Sequence, residues 1–389
     1  MNDSKTTDKQ LRILQVNKYY HPYLGGIERV VRQLAEGLAQ KTEMTVLVSA
    51  EDTKHHVETI NGVSVHRVPR QTKFGNMPVS FGMLSKFRAL SKQADVIHLH
   101  MPFPLGDLAC LLSGYKGKVV LWWHSDVVRQ KKMMFFYKPI MLKMLKRADA
   151  IIVATQGHID GSSYLKAFES KCRIIPYGVE PAIRSASDIY INKKISLPVS
   201  TAPEGPVRFL FVGRFTYYKG CDVLLEAFAK VTGAELVIVG SGKSENQLRQ
   251  KAIALGINNR IYFTGKLSDA ELLQAYEECD VFVLPSIAKS EAFGLVQIEA
   301  MAFGKPVINT ALSSGVPHVS INGETGLTVA SQNVEEMAKA MQWMVDHPDK
   351  RQQFGKNARN RVKSVYRIED MLDRVLDLYH ELIQGDYQK

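Results

Sequence analysis

The feature that most constrains this chain is an alternation of short apolar runs and helix-length amphipathic segments that proceeds, breaks and begins again. It opens with Leu11–Asn17 (LRILQVN), then a Gly25-Gly26 loop. A helix is expected from about Ile27 to Lys41, with Ile27, Val30, Val31, Leu34 and Leu38 at helical spacing. Thr45–Ser49, Val63–Val68, Val96–Leu99, Val119–Trp123 and Ile151–Ala154 read as further strands. Met83–Gln93, Leu105–Ser113 and Gln130–Arg147 read as helices between them. Continuous apolar strands separated by helices indicate a parallel sheet covered on both faces.

From 181 to 206 the pattern gives way to a polar segment holding Pro181, Pro198, Pro203 and Pro206, expected to be a linker. The alternation restarts with Val207–Val212, a helix from Cys221 to about Val231, and the strands Leu236–Val239, Ile261–Phe263, Val281–Leu284 and Val307–Asn309. Val334–Gln384 reads as wholly helical. The 389 residues therefore divide into a domain at 1–180, the linker 181–206, a second domain at 207–365 and a closing helix at 366–389 that packs back towards the first domain. That length suits two domains of about 150–200 residues. The expected fold class is α/β, two Rossmann-like doubly wound parallel-sheet domains facing a central cleft. Ligands of such sheets bind at the carboxyl ends of the strands, so the cleft is the expected active site.

No apolar stretch approaches the roughly 20 residues of a membrane span. The opening MNDSKTTDKQ is polar and acid-bearing, which is expected of a disordered lead-in and not of a secretory signal. Cys110, Cys172, Cys221 and Cys279 are scattered without a C-x-x-C pair, arguing against zinc or a disulfide framework and for a reducing cytoplasm. Residues 1–180 hold 26 Lys/Arg against 15 Asp/Glu, a net of +11, whereas 181–389 hold 24 of each. The first half is thus the one expected to meet an anionic partner: nucleic acid, membrane or phosphate-bearing substrate.

Within Ser290–Ala302 (SEAFGLVQIEAMA), Glu291 and Glu299 are separated by seven residues just beyond a strand. Phe293, Gly294 and Leu295 read as a helix start, whose free N–H groups and positive dipole end suit a diphosphate. Glu299, two turns from Glu291, could accept from sugar hydroxyls, although a helix with an acidic first turn looks the same. Phe211-Val212-Gly213-Arg214, followed by Lys219-Gly220, sets a planar guanidinium and a point charge at a strand's carboxyl end, where they can hold a leaving diphosphate or form a solvated turn.

Gly25-Gly26-Ile27-Glu28 permits close backbone approach at the mouth of the first helix, or is a plain turn. It is not G-x-G-x-x-G, so a dinucleotide dehydrogenase is unsupported. Trp123-His124-Ser125-Asp126 ends an apolar strand and points His124 at a reaction centre, although a lone histidine is more often structural. Gly240-Ser241-Gly242, Lys266 with Leu267, and Tyr19, Tyr20 and His21 are weaker candidates.

Leu284-Pro285-Ser286, Glu291-Ala292-Phe293-Gly294, Glu299-Ala300-Met301-Ala302, Gly304-Lys305-Pro306-Val307, Gly315-Val316-Pro317 and Gly323-Glu324-Thr325-Gly326-Leu327 together resemble family 4 glycosyltransferases of the GT-B fold, and the resemblance spans nearly the whole chain. It implies that Glu291 faces the donor sugar's hydroxyls, Glu299 the ribose, and His124 the sugar near the acceptor, with Asp126 orienting the acceptor or its loop. It also implies that Lys266 and Leu267, with Gly240-Ser241-Gly242, contact phosphate and base. Transfer would retain the anomeric configuration by front-face attack, the leaving phosphate helping to take the acceptor's proton. No Asp-x-Asp occurs, which fits a reaction without cofactor or metal in which Arg214, Lys219 and helix N-termini replace a cation.

The run from Trp123 through Tyr137-Lys138-Pro139 to Ile175-Pro176-Tyr177-Gly178-Val179 resembles bacterial mannosyltransferases of surface-polysaccharide assembly, O-antigen or capsule. This implies GDP-mannose as donor, with a UDP-hexose as the alternative, and a polyprenyl-diphosphate-linked saccharide as acceptor. Val127–Arg147 carries seven basic residues and no acidic ones among large apolar side chains. It is expected to touch an anionic membrane from the cytoplasmic side while packing partly on its sheet, with Pro139 kinking or dividing it. A sugar-nucleotide epimerase is disfavoured by Arg214, Lys219 and the paired glutamates. Nucleic-acid binding is disfavoured by the neutral second half.

Overall fold

The computed structural model describes residues 10–23, 25–74, 77–127, 131–180, 183 and 205–385, with backbone alone at 74 and 131–133. The expected linker therefore lies almost wholly outside the described residues, as do the lead-in 1–9 and residues 128–130 of the basic segment. The chain forms two compact units. The first comprises residues 1–153, 163–175 and 372–389, and the second 154–162 and 176–371.

In the first unit the strands are β1 (Arg12–Val16), β2 (Glu43–Ser49), β3 (His56–Ile60), β4 (Val63–Val68), the hairpin β5 (Thr72–Phe74) with β6 (Met77–Val79), β7 (Val96–Met101), β8 (Lys118–Trp123), β9 (Ala150–Val153) and β10 (Cys172–Ile174). The main sheet runs β10-β9-β8-β7-β1-β2-β4-β3 and is parallel except at the β3–β4 edge. The helices are α1 (Gly26–Leu38), α2 (Met83–Ser91), α3 (Pro104–Leu112) and α4 (Lys131–Arg147), with α5 (Gln156–Asp160) belonging to the second unit. The polar edge strand β3 was not expected. Its signal is Asn61-Gly62, where both residues take positive φ and close a tight hairpin.

Pro139 does not divide α4. Met134, Tyr137, Met141, Met144 and Leu145 keep one buried face across it. The carbonyl that proline leaves unpaired belongs to Phe135, a residue exposed to water, so the lost bond costs little.

The second unit holds β11 (Val207–Val212), β12 (Ala234–Val239), β13 (Ile261–Gly265), β14 (Val281–Val283), β15 (Val307–Thr310) and β16 (Gly326–Val329). Their order is β13-β12-β11-β14-β15-β16, all parallel. The helices are α6 (Cys221–Phe228), α7 (Glu245–Ala254), α8 (Asp269–Glu278), α9 (Leu295–Ala302), α10 (Val316–Val319), α11 (Val334–Asp346) and α12 (Pro348–Val365). The last helix, α13 (Ile368–Gln384), joins the first unit from Leu372 onward, where Asp373 pairs with Lys41 at 2.8 Å and the Tyr379 hydroxyl lies 2.5 Å from His98 Nδ1. The region expected to be one helical stretch is thus three helices. Pro348 starts the second, and the backbone around Arg367 leaves helical form to bridge Val179.

Strand order reverses between β1 and β7 in one sheet and between β11 and β14 in the other, the arrangement that opens a crevice at the carboxyl ends. One device sets the register at both reversals. Asp95 and Asp280 each precede a strand, and their carboxylates accept the backbone N–H of Arg12 (2.9 Å) and Arg208 (2.8 Å). Their own N–H groups donate to the Arg12 and Arg208 carbonyls at 2.8 Å. Asp149 repeats the clasp on Val119.

Asp107 on α3 is wholly buried and accepts a hydrogen bond from the Tyr137 hydroxyl of α4. Burial pushes its carboxyl up to about 7, with the tyrosine bond opposing. The folded state therefore holds this proton more tightly than the unfolded chain. Stability from this group should be full below pH 4 and decline as pH rises towards 7, by at most about 4 kcal/mol. Urea unfolding from pH 5 to 8 should show a flatter dependence in Asp107→Asn; equal slopes for both proteins would refute the assignment.

Candidate active site

The second unit's reversal brings two of the predicted residues, Lys219 and Glu291, together. Beyond β11 come Gly213 and Arg214, and a turn then leads to Lys219 and Gly220 at the start of α6. Gly220 has φ +68°, and a Cβ there would stand 2.0 Å from the Pro285 carbonyl oxygen beyond β14. Glycine is required on both counts. The Ile287 N–H donates to the Tyr218 carbonyl at 2.8 Å and locks the two loops side by side.

Across that contact the Lys219 ammonium lies 2.6 Å from Glu291 Oε2, and both side chains are about nine-tenths buried. Ser286 Oγ donates to the same carboxylate at 3.0 Å. Burial disfavours the charge on Lys219, but the adjacent Glu291 more than offsets this and its pKa is raised overall. Arg214 is exposed and makes no ion pair among the described residues. The edge thus presents an exposed cation after β11 and a buried cation–carboxylate pair.

Gly294, at φ +74°, caps α9, and a Cβ on it would meet Leu284 Cδ2 at 2.6 Å. Leu295 is half-buried in the first turn. Phe293 is a packing residue: its ring is buried and stands edge-on to Tyr177 and Tyr366, with centroids at 4.8 and 6.0 Å. Glu299 sits two turns on, buried, accepting from the Tyr276 hydroxyl at 2.7 Å. Lys266 is exposed and Leu267 half-buried just beyond β13. Gly240 is tight for a different reason, since a Cβ there would reach the Gly213 oxygen at 1.9 Å.

In the first unit Gly25 caps α1 and Gly26 is its first residue. A Cβ on Gly25 would stand 2.1 Å from Glu28 Oε2, so the helix mouth already carries a carboxylate of its own. Tyr20 is core, fully buried with its hydroxyl 3.3 Å from Glu36. His124 follows β8, buried, with Nε2 2.8 Å from His100 Nδ1. Sequence reasoning passed over His100, Gln15 and Tyr276, and read Ser286 only as part of the Leu284-Pro285-Ser286 motif. His98 and His100 alternate along β7 and so share a face, a pattern legible as a polar stripe in an otherwise apolar strand.

Two doubly wound parallel sheets, one with a basic pair and carboxylate at its reversal, define the class of GT-B group-transfer enzymes. The profile described as "Glycosyltransferase Family 4" matches residues 24–183, and "Glycosyl transferases group 1" matches 192–361. The chain is 32% identical to a D-rhamnosyltransferase of Pseudomonas aeruginosa, covering 91% of this chain and 92% of that one. It is 29% identical to O-antigen chain mannosyltransferase C of Escherichia coli, covering 96% and 100%. A sucrose-phosphate synthase from Thermosynechococcus elongatus superposes with a TM-score of 0.79 at 24% identity over 97% of this chain and 100% of its own, a likeness of fold. The chain belongs to the family 4, group 1 glycosyltransferases and is a hexosyltransferase.

Removing one partner of the buried pair leaves an uncompensated charge. Lys219→Met should cost about 3 kcal/mol in denaturant unfolding, and adding Glu291→Gln should restore most of it. Additive losses in the double variant would show that the two side chains do not act as a pair.

Proposed function

We propose that the enzyme transfers α-mannose from GDP-mannose to a hydroxyl of a polyprenyl-diphosphate-linked saccharide, with retention of configuration. The observation that carries this reading is the buried Lys219–Glu291 pair at the carboxyl edge of the second sheet, with Arg214 exposed just beyond β11. In this reading the guanidinium and ammonium hold the diphosphate, and Glu291 accepts from hydroxyls of the sugar. The bond between C1 and the diphosphate oxygen breaks as the acceptor oxygen bonds C1 on the same face. The acceptor's proton passes to the departing phosphate oxygen. Arg214, Lys219 and the α9 N-terminus supply the positive charge that a divalent cation would otherwise bring. Mannose as the sugar is supported by the name of the E. coli relative, and a phosphate-bearing acceptor by the basic first half.

Thermal-shift titration in excess EDTA should show GDP and GDP-mannose stabilising the protein more than UDP or ADP and their hexose conjugates. A UDP-only response would replace the donor, and silence from every nucleotide would overturn the reading. Arg214→Ala should lower kcat on the order of 10²–10³-fold with the fold intact.

A membrane contact through α4 is the second part of the proposal. Phe135 and Phe136 are 77% and 75% exposed, beside exposed Lys138, Lys143 and Lys146. Apolar rings flanked by ammonium groups suit the headgroup boundary of an anionic bilayer, with roughly 1 kcal/mol per basic residue. No helix among the described residues is long and apolar enough to cross a membrane. Flotation with phosphatidylglycerol vesicles should carry the protein upward, and Phe135→Ser with Phe136→Ser should abolish this. Equal flotation with neutral vesicles, or none, would sink it.

A further inference from the structure

Behind His124 runs a chain of buried polar groups that no step of the proposed reaction uses. Gln15 on β1 is fully buried, with its Nε2 3.1 Å from the Val31 carbonyl oxygen of α1 and 2.7 Å from His100 Nε2. His100 Nδ1 lies 2.8 Å from His124 Nε2, the two rings inclined by 12°.

Two neighbours decide which way the Gln15 amide points. With the nitrogen towards Val31 and His100, both amide hydrogens find acceptors. Turned over, the amide would set oxygen against the Val31 oxygen and lose that bond. The amide therefore donates to His100 Nε2, which must accept. A histidine that accepts at Nε2 carries its proton on Nδ1. That proton points at His124 Nε2, which must accept in turn.

We infer that Gln15 and His100 are positioning residues that hold His124 as the neutral imidazole protonated at Nδ1, so that any acceptor it meets, protein or substrate, meets an N–H donor. The polarity runs one way: Val31 oxygen, Gln15 amide, His100, His124. An imidazolium at His124 would press its Nε2–H against the His100 Nδ1–H, and relief would require His100 to move its proton to Nε2, facing the Gln15 amide hydrogens. Neither neighbouring histidine favours a positive charge. His98 stacks on His100 at 4.8 Å and shares Nδ1 with the Tyr379 hydroxyl, and burial pushes both His98 and His100 down from the ordinary histidine value. Against the proposed substrate, His124 would then donate to a sugar hydroxyl or phosphate oxygen and would not act as the base. That last clause rests on the function proposed above; the tautomer does not.

Long-range 15N–1H spectra of the histidines in the full chain at pH 7, without substrate, test the assignment, with His124 identified by the signals lost in His124→Gln. His100 and His124 should both appear neutral with the proton on Nδ1. Gln15→Glu puts an acceptor where the amide donated. Whether ionised or protonated, that oxygen accepts from His100 Nε2–H, so His124 should switch to the Nε2–H form. Its kcat should fall on the order of 10²-fold while the KM for the donor changes little. Gln15→Met, which neither donates nor accepts, should leave a mixture of the two forms. An Nε2–H or doubly protonated His124 in the parent protein, or an unchanged tautomer in Gln15→Glu, would overturn the inference. A protein that binds no nucleotide sugar but shows this pattern would leave it standing and fault the function alone.

Discussion

The reversal of strand order between β11 and β14 is the constraint on which the second unit depends. Two parallel strands that are distant in sequence must be brought side by side, and each sends its following loop in opposite directions. At the amino end Asp280 closes the gap by bonding both backbone groups of Arg208, whose guanidinium is buried against Glu235 and Glu278. At the carboxyl end the gap is closed by Gly220 lying against the Pro285 carbonyl. A side chain at Gly220 would separate the loops, and Lys219 would lose Glu291. The chemistry at this edge is thus a consequence of how the sheet is closed. The first unit repeats the amino-end solution with Arg12 and Asp95.

The Lys219–Glu291 pair is not explained by stability. Desolvating two charges costs several kcal/mol each, and packed apolar residues of equal volume often do as well. What the pair supplies is position. Lys219 is held by a carboxylate that Ser286 also bonds, while Arg214 is exposed. A diphosphate arriving at this edge would find one cation already fixed in place, with little side-chain entropy left to lose on binding.

Much of this architecture was legible in the sequence. Val63–Val68 and Val207–Val212 appear as strands with the same bounds, the first interspersing buried and half-buried positions, the second buried throughout. The polar edge strand β3 escaped because apolar content was the signal sought. Gly326–Val329 escaped because glycine opens it, yet a Cβ at Gly326 would lie 1.9 Å from the Val307 oxygen. At the site, motif residues such as Arg214, Lys219 and Glu291 were readable because their spacing belongs to one family. Ser286, Tyr276 and Gln15 were not, since their partners are fixed only by packing across elements.

The less legible residues share a location. Besides the Arg208–Glu235 pair at the amino end, polar side chains inside the two sheets lie near the carboxyl ends, where apolar residues would have sufficed for burial. In the second unit Asn309 donates to Gln297 at 2.9 Å and to the Val316 carbonyl at 3.1 Å, while Gln297 donates to the Phe293 carbonyl at 2.8 Å. Thr310 donates to the Ser286 carbonyl at 2.6 Å, and Thr328 to Asn309 at 2.7 Å. The loop from Ser286 to Phe293, which bears Glu291, is therefore tied at both ends to the sheet interior. In the first unit Gln15 and His100 do the same for His124. Buried polar groups are tolerated only when bonded, and here they bond loop backbone or a functional side chain. Each core thus contributes orientation at its carboxyl edge as well as packing, so residues that sequence reading assigns to the interior hold the candidate site in place as much as those that line it.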